Sequence, residues 1–128
     1  ADSASLWQEA RLAMLQGKLV SGADQMNART TLEIATRGGA ACLGRLGELG
    51  ELSAGSVGDV AVWRLEGPRF AGVLDDPIEG WLRCGPFEAT HVFVHGREIV
   101  TNGVLAAPNL ENYLSQHRLA ARRFQPRS

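Results

Sequence analysis

The stretch Ala35-Thr36-Arg37-Gly38-Gly39-Ala40-Ala41-Cys42-Leu43-Gly44 constrains this chain more than any other. Its small residues weaken a helix by propensity, and such a run persists mainly where another backbone must come close. Gly44 is the expected helix stop. A loop punctuated by Gly47, Gly50, Gly55 and Gly58 follows, and those glycines are expected to separate short extended segments. Asp59 then opens Val60-Ala61-Val62-Trp63, which is apolar on both faces. That pattern predicts a central strand buried on both sides.

The remaining elements follow from capping and periodicity. Ser5 is placed to cap a first helix, with Gln8 three residues on. Leu6, Ala10, Ala13, Met14 and Gly17 form its apolar face, and Leu12, Leu15 and Leu19 widen the arc, so much of this helix is expected to be covered. Gly17 or Gly22 ends it. Asn27 caps a second helix whose stripe is Ala28, Leu32, Ala35, Gly39, Cys42 and Leu43. Asp76-Pro77 starts a short helix with Ile78, Trp81 and Leu82 inward. Gly96 and Asn102-Gly103 mark two tight turns, which predicts a meander over residues 91–106. Pro108-Asn109 opens a closing helix with Leu110, Tyr113, Leu114, His117, Ala121 and Phe124 inward.

This order of elements predicts an α+β fold in three parts: helices over residues 1–45, strands with an inserted helix over 46–107, and a C-terminal helix over 108–128. The first two helices carry wide apolar faces with no preceding strands to cover them. Packing alone therefore calls for a partner.

Composition narrows the function classes. Hydrophobic residues make up 45% and charged residues 21%, the balance of an ordinary globular protein and not of a disordered segment. A net charge of -1 exerts no global pull on nucleic acid or acidic membranes. No apolar run is long enough to span a bilayer, and residues 1–20 show no signal-peptide pattern. Cys42 and Cys84 are far apart without metal-type spacing, which reads as two reduced, buried thiols of a cytosolic protein.

The motifs add a family resemblance. Ala35–Gly44 followed by Gly55-Ser56-Val57-Gly58-Asp59-Val60 resembles the C-terminal segment of metal-dependent amidohydrolases, whose usual form is A-T-x-x-G-A-x-x-L-G and then G-x-x-A-D-L. Gly58 stands where the family usually has Ala. Leu6-Trp7-Gln8-Glu9-Ala10-Arg11, Asp76-Pro77 with Leu82-Arg83-Cys84-Gly85, and Val94-His95-Gly96-Arg97 resemble the 8-oxoguanine deaminase and cytosine/guanine deaminase-like group. The resemblance covers roughly residues 3–120. It implies a (β/α)8 barrel with a small β-sandwich, this chain supplying the last barrel helices, the C-terminal share of the sandwich and the closing helix. It also implies one divalent metal, zinc or iron, that activates water to deaminate a purine- or pyrimidine-like ring. The metal would be held by an H-x-H pair, two later histidines and an aspartate. No H-x-H is present in this sequence.

No catalytic or cofactor-binding residue is therefore assigned to the chain, and Asp2 is its one metal-ligand candidate. Asp2-Ser3-Ala4-Ser5 resembles the family's D-G-S-A-S run, whose Asp is a ligand. A gap-free alignment from Leu6-Trp7-Gln8-Glu9 instead sets Asp2 after that run. The gap-free version is preferred, which makes Asp2 a loop or cap residue. One carboxylate cannot build a zinc site in any case. His91 and His95 share a strand face but lack a third ligand and read as surface histidines. His117 reads as a partly buried packing residue, and Cys84 lacks a histidine to activate it. Cys42 reads as core. Trp7, Trp63 and Trp81 read as packing residues on separate elements. Arg118, Arg122, Arg123 and Arg127 read as a solvated helix end. Asp59 is expected to be structural, fixing the loop that enters the strand.

These readings imply a chain that is inert alone and works with the preceding barrel portion of the same protein, in a homo-oligomer, without nucleic acid or membrane. The alternatives are a stand-alone α+β interaction module that dimerises to cover its apolar faces, and a fragment that complements a separately encoded barrel half.

Overall fold

The computed structural model describes residues 5–73, 75–85 and 88–124. Asp2, Pro86 and Arg127 lie outside the described residues. Helix α1 runs Leu6–Ser21. The Ser5 hydroxyl accepts from the Gln8 N–H at 3.4 Å, as the cap pattern predicts. The Gly22 N–H closes the other end on the Lys18 carbonyl at 3.1 Å. Helix α2 runs Ala28–Glu33, with Asn27 Oδ1 accepting from the Thr30 N–H at 2.9 Å. Helix α4, Pro77–Cys84, starts with Asp76 Oδ1 accepting from Ile78 N–H at 3.1 Å and Glu79 N–H at 2.9 Å. Pro77 occupies its first turn, where a missing N–H costs nothing.

These three helices enclose a small core of Ala10, Met14, Ala28 and Leu82, flanked by Trp7, Met26, Ala35, Ile78 and Trp81. Met14 and Leu82 are fully buried. Gly17 lies under Met26: a Cβ there would come within 2.8 Å of the methionine side chain.

The second helix departs from the predicted stripe. After α2 the backbone widens into a π-turn over Ile34–Gly38 before α3, Gly39–Cys42. A π-turn inserts one extra residue and rotates everything beyond it. The inward series becomes Ala28, Thr31, Ala35, then Ala40, with Ala28, Thr31 and Ala40 buried. Cys42 and Leu43, expected in the core, are exposed. Thr36 Oγ1 donates to the Leu32 carbonyl at 2.7 Å within this loosened segment. Gly44 does stop the helix. Its N–H bonds the Ala41 carbonyl at 3.0 Å and Arg45 N–H bonds the Ala40 carbonyl at 2.9 Å, the paired bonds of a Schellman cap.

The close backbone approach predicted for Gly38-Gly39 occurs elsewhere. Nothing lies within 4 Å of a Cβ placed on Gly39. The contact is at Gly50, where a Cβ would sit 2.7 Å from the Thr36 carbonyl. The loop between Gly44 and Asp59 is built of turns, with one isolated bridge from Leu46 to Leu49, and not of extended segments.

The sheet has four antiparallel strands in chain order: β1 Val60–Val62, β2 His91–Val94, β3 Arg97–Thr101 and β4 Val104–Leu105. Val60 pairs with Phe93 and Val62 with His91, while Thr101 pairs with both His91 and Val104. The two predicted turns are present. His95-Gly96 (φ 52 and 73) and Asn102-Gly103 (φ 51 and 78) have the two successive positive φ values of type I′ hairpins. The meander is thus as expected, but β1 is not central. It forms one edge of the sheet, with Ala61 and Val62 exposed, because no described strand lies beyond it.

Helix α5, Leu110–Arg122, closes the described chain and has no buried residue. His117, expected to be partly buried, is exposed. The cause is the same as at β1: no described element packs over the apolar face.

Candidate functional site

The three tryptophans, on separate elements in sequence, converge in space. Trp7 Nε1 donates to the Trp81 carbonyl at 2.9 Å, which ties α1 to α4. The Trp63 and Trp81 rings stand 5.0 Å apart, tilted by 59°, within the range of a favourable aromatic pair. The packing role read from sequence holds. Their convergence was not foreseen, because no single helical or strand period links residues 7, 63 and 81.

This aromatic cluster walls a groove of about 480 Å³ that also takes in Leu6, Leu32 and Leu52. Trp63 and Trp81 also border a smaller hollow of about 230 Å³ over Leu65, Pro77 and Ile78. Glu51 and Asp59 stand at the groove margin. Trp81 Nε1 is buried and has no hydrogen-bond acceptor among the described residues. A buried N–H left without a partner costs about 1–3 kcal/mol. The same side chain that packs the groove wall therefore has an unmet bonding requirement.

The surroundings tell the same story in area. Leu52 in the groove is 81% exposed, and Leu6 at its rim is 66% exposed. These are side chains that a self-contained domain buries.

Asp59 has the structural role expected of it. Its Oδ1 accepts the His95 backbone N–H at 2.7 Å, and the Gly96 N–H bonds the Gly58 carbonyl at 2.8 Å. The entrance to β1 is thereby fastened to the β2–β3 turn. A Cβ on Gly58 would sit 3.0 Å from the Gly96 nitrogen, so the Gly at this position lets the two backbones meet. The usual Ala of the family would need the turn to yield by a few tenths of an ångström.

The histidines do not assemble a centre. His91 Nδ1 lies 2.8 Å from Glu98 Oε1 across the hairpin, while His95 belongs to the turn and not to the strand face. Cys84 is half-buried at the end of α4, and His117 is on α5. Among the described residues no group of three or more His, Cys, Asp or Glu side chains could hold a metal ion. The donor set that a zinc site needs is three or four ligands, so the described residues do not fit a catalytic metal.

The His91–Glu98 pair has one measurable consequence. The hydrogen bond from His91, with a smaller one from Thr101, holds the Glu98 carboxyl below its ordinary value. A depressed folded-state pKa contributes stability above the unfolded value, and that contribution is lost as pH falls through the folded one. Wild-type stability is therefore expected to fall relative to Glu98→Gln as pH drops below about 4.3, the ordinary glutamate value. Denaturant midpoints collected between neutral and acid pH check this. Parallel curves for the two proteins would show that the pair contributes nothing.

Comparison with known proteins places this geometry. A family model described as "Amidohydrolase family" matches residues 1–105. The 8-oxoguanine deaminase of Pseudomonas aeruginosa is 35% identical over 120 residues, which is 94% of this chain and 26% of that protein. The crystal structure of atrazine chlorohydrolase from Arthrobacter aurescens TC1 complexed with zinc superposes with a TM-score of 0.77 at 33% identity, covering 88% of this chain and 25% of that one. An adenosine deaminase from Xanthomonas campestris with bound zinc gives a TM-score of 0.79 over 92% of this chain and 27% of that one. Its identity is 24%, so it speaks to the fold alone. The chain spans about a quarter of the length of these relatives. The motif resemblance read from Ala35–Gly44 and from the 8-oxoguanine deaminase-like segments is thereby borne out, and the chain belongs to the amidohydrolase family.

Proposed function

We propose that this chain is the C-terminal, non-catalytic segment of a metal-dependent hydrolase that deaminates a purine- or pyrimidine-like ring. The net reaction adds water at a ring carbon bearing an amino group and releases ammonia. The described residues offer no metal site, so no step of that reaction is assigned to them. Their part is to buttress: α1, α2 and the π-turn present the groove to the barrel, and the outer edge of β1 receives strands that complete the small sandwich.

The observation that carries this reading is the open apolar groove walled by Trp7, Trp63 and Trp81. Apolar surface of this extent is stabilised when it is covered. The preceding barrel portion of the same protein supplies that cover. We place the whole protein in the cytoplasm, with zinc or iron as its metal. No described helix is long and apolar enough to cross a membrane.

The test is complementation. The purified chain with added zinc or ferrous iron is expected to release no ammonia from aminopurines, cytosine or 8-oxoguanine. Co-expression with a barrel portion that is inactive by itself is expected to restore turnover. Metal-dependent deamination by the chain alone would sink the proposal.

A further inference from the structure

The Asn102-Gly103 turn between β3 and β4 is a motif that the hydrolase reading does not use. An asparagine followed by glycine is the pairing most open to attack of a backbone nitrogen on the side-chain amide, because glycine has no Cβ to crowd its own nitrogen. The other asparagines of the chain precede Ala28, Leu110 and Tyr113. Asn102 and Gly103 are both exposed. The fold nevertheless holds the attacking atom. The Gly103 N–H donates to the Thr90 carbonyl at 2.9 Å, on the β2 side of the turn and apart from the pairing of Thr101 with Val104. Thr90 is itself anchored, since its N–H and its Oγ1 both donate to the Val62 carbonyl, at 2.8 and 3.0 Å. The reactive nitrogen is thereby tied through Thr90 to β1.

We propose that Asn102 is a site of spontaneous deamidation, gated by the Gly103–Thr90 hydrogen bond. When local opening of the turn breaks that bond, the Gly103 nitrogen gives its proton to solvent base and attacks Asn102 Cγ. The N–Cγ bond forms, the Cγ–Nδ2 bond breaks, and Nδ2 takes a proton from water and leaves as ammonia. Water then opens the cyclic imide. Cleavage of the new N–Cγ bond leaves aspartate, and cleavage at the main-chain carbonyl leaves isoaspartate. The net change consumes one water and releases one ammonia, with no oxidation or reduction. The two products differ in consequence. Aspartate tolerates the positive φ of residue 102, 51°, much as asparagine does. Isoaspartate adds a methylene to the main chain of a two-residue turn, where loop length sets the register. The Thr101–Val104 and Val100–Leu105 pairs then no longer match. Because β4 consists of Val104 and Leu105 alone, the whole strand is released.

Peptide mapping by mass spectrometry tests this on the intact protein incubated at mildly alkaline pH, with isoaspartate quantified by enzymatic methylation. Asn102 is expected to convert ahead of Asn27, Asn109 and Asn112. Its conversion is expected to be at least about tenfold slower in the folded protein than in denaturing urea, because only the opened turn reacts. Thr90→Ala removes the Oγ1 bond that anchors the acceptor. It is expected to raise the folded rate about threefold or more and to leave the rate in urea unchanged. Thr90→Ser, which keeps the hydroxyl, is expected to match the wild type. Equal wild-type rates in the folded and the urea-unfolded protein would overturn the gate, as would a folded Thr90→Ala variant that reacts at the wild-type rate. Absence of conversion at Asn102 in urea would overturn the site itself.

Discussion

Gly50→Ala is expected to destabilise the protein by about 2–5 kcal/mol, while Gly55→Ala costs about 1–2 kcal/mol. Both glycines have positive φ, 79° at Gly50 and 93° at Gly55, so both substitutions carry the left-handed penalty of an L-residue. They differ in surroundings. Nothing lies within 4 Å of a Cβ on Gly55. On Gly50 the Cβ would lie 2.7 Å from both the carbonyl carbon and oxygen of Thr36, and 2.9 Å from the Arg37 nitrogen. Those are backbone atoms of the π-turn and cannot rotate aside. The loop would have to lift, and the Arg37–Glu51 ion pair at 3.7 Å would open with it. Denaturant midpoints of the two variants measure the difference. Equal losses at Gly50 and Gly55 would show that the loop does not press on the helix.

This contact also shows what the small-residue motif does. The π-turn releases the regular helical pattern over Ile34–Gly38, and Gly50 seats the following loop against the widened turn. The loop then returns through the Val57 N–H to the Glu48 carbonyl at 2.9 Å and delivers Asp59 to the His95 N–H. Helix end, loop and first strand are fixed by one chain of backbone contacts, and the motif positions the groove.

Local signals were legible in the sequence, and long-range ones were not. Ser5, Asn27 and Asp76 cap the helices that their side-chain chemistry predicts. The Gly96 and Asn102-Gly103 turns lie where Gly and Asn allow positive φ. Errors begin where the outcome depends on a neighbour. A period of 3.6 residues carried straight through Ala35 puts Gly39 inward; one extra residue in the π-turn puts Ala40 there. Thr36 next to Gly38-Gly39 was the available signal, since a Thr bonding back to i−4 often accompanies such a distortion. The apolar run Val60–Trp63 reads as a central strand, and in the described sheet it is an edge. Residue pattern reports how much burial a segment needs, and a segment whose cover lies outside the described residues looks exposed. The same holds for His117 and the stripe on α5. The tryptophan groove was out of reach because it joins residues 7, 63 and 81 through tertiary packing alone.

Leu82→Ala is expected to cost about 2–5 kcal/mol, the range for emptying a well-packed apolar site. Leu82 is fully buried, and Met14 is the one other large apolar side chain buried to that degree among the described residues. With so few large residues in the core, the cavity has little nearby that can collapse into it. The informative comparison is Leu52→Ala. Leu52 is 81% exposed and lines the groove. In the chain by itself its loss is expected to change stability by less than about 0.5 kcal/mol, as for any exposed site. In a longer protein whose barrel portion fills the groove, as proposed, the same substitution is expected to cost about 2 kcal/mol or more. Chemical denaturation of both variants, in the chain and in the longer protein, gives four values. A Leu52 variant that is silent in both settings would mean that nothing fills the groove, even if Leu82→Ala behaves as expected. A cost that appears only in the longer protein would support the proposal that the groove is the surface by which this segment is covered.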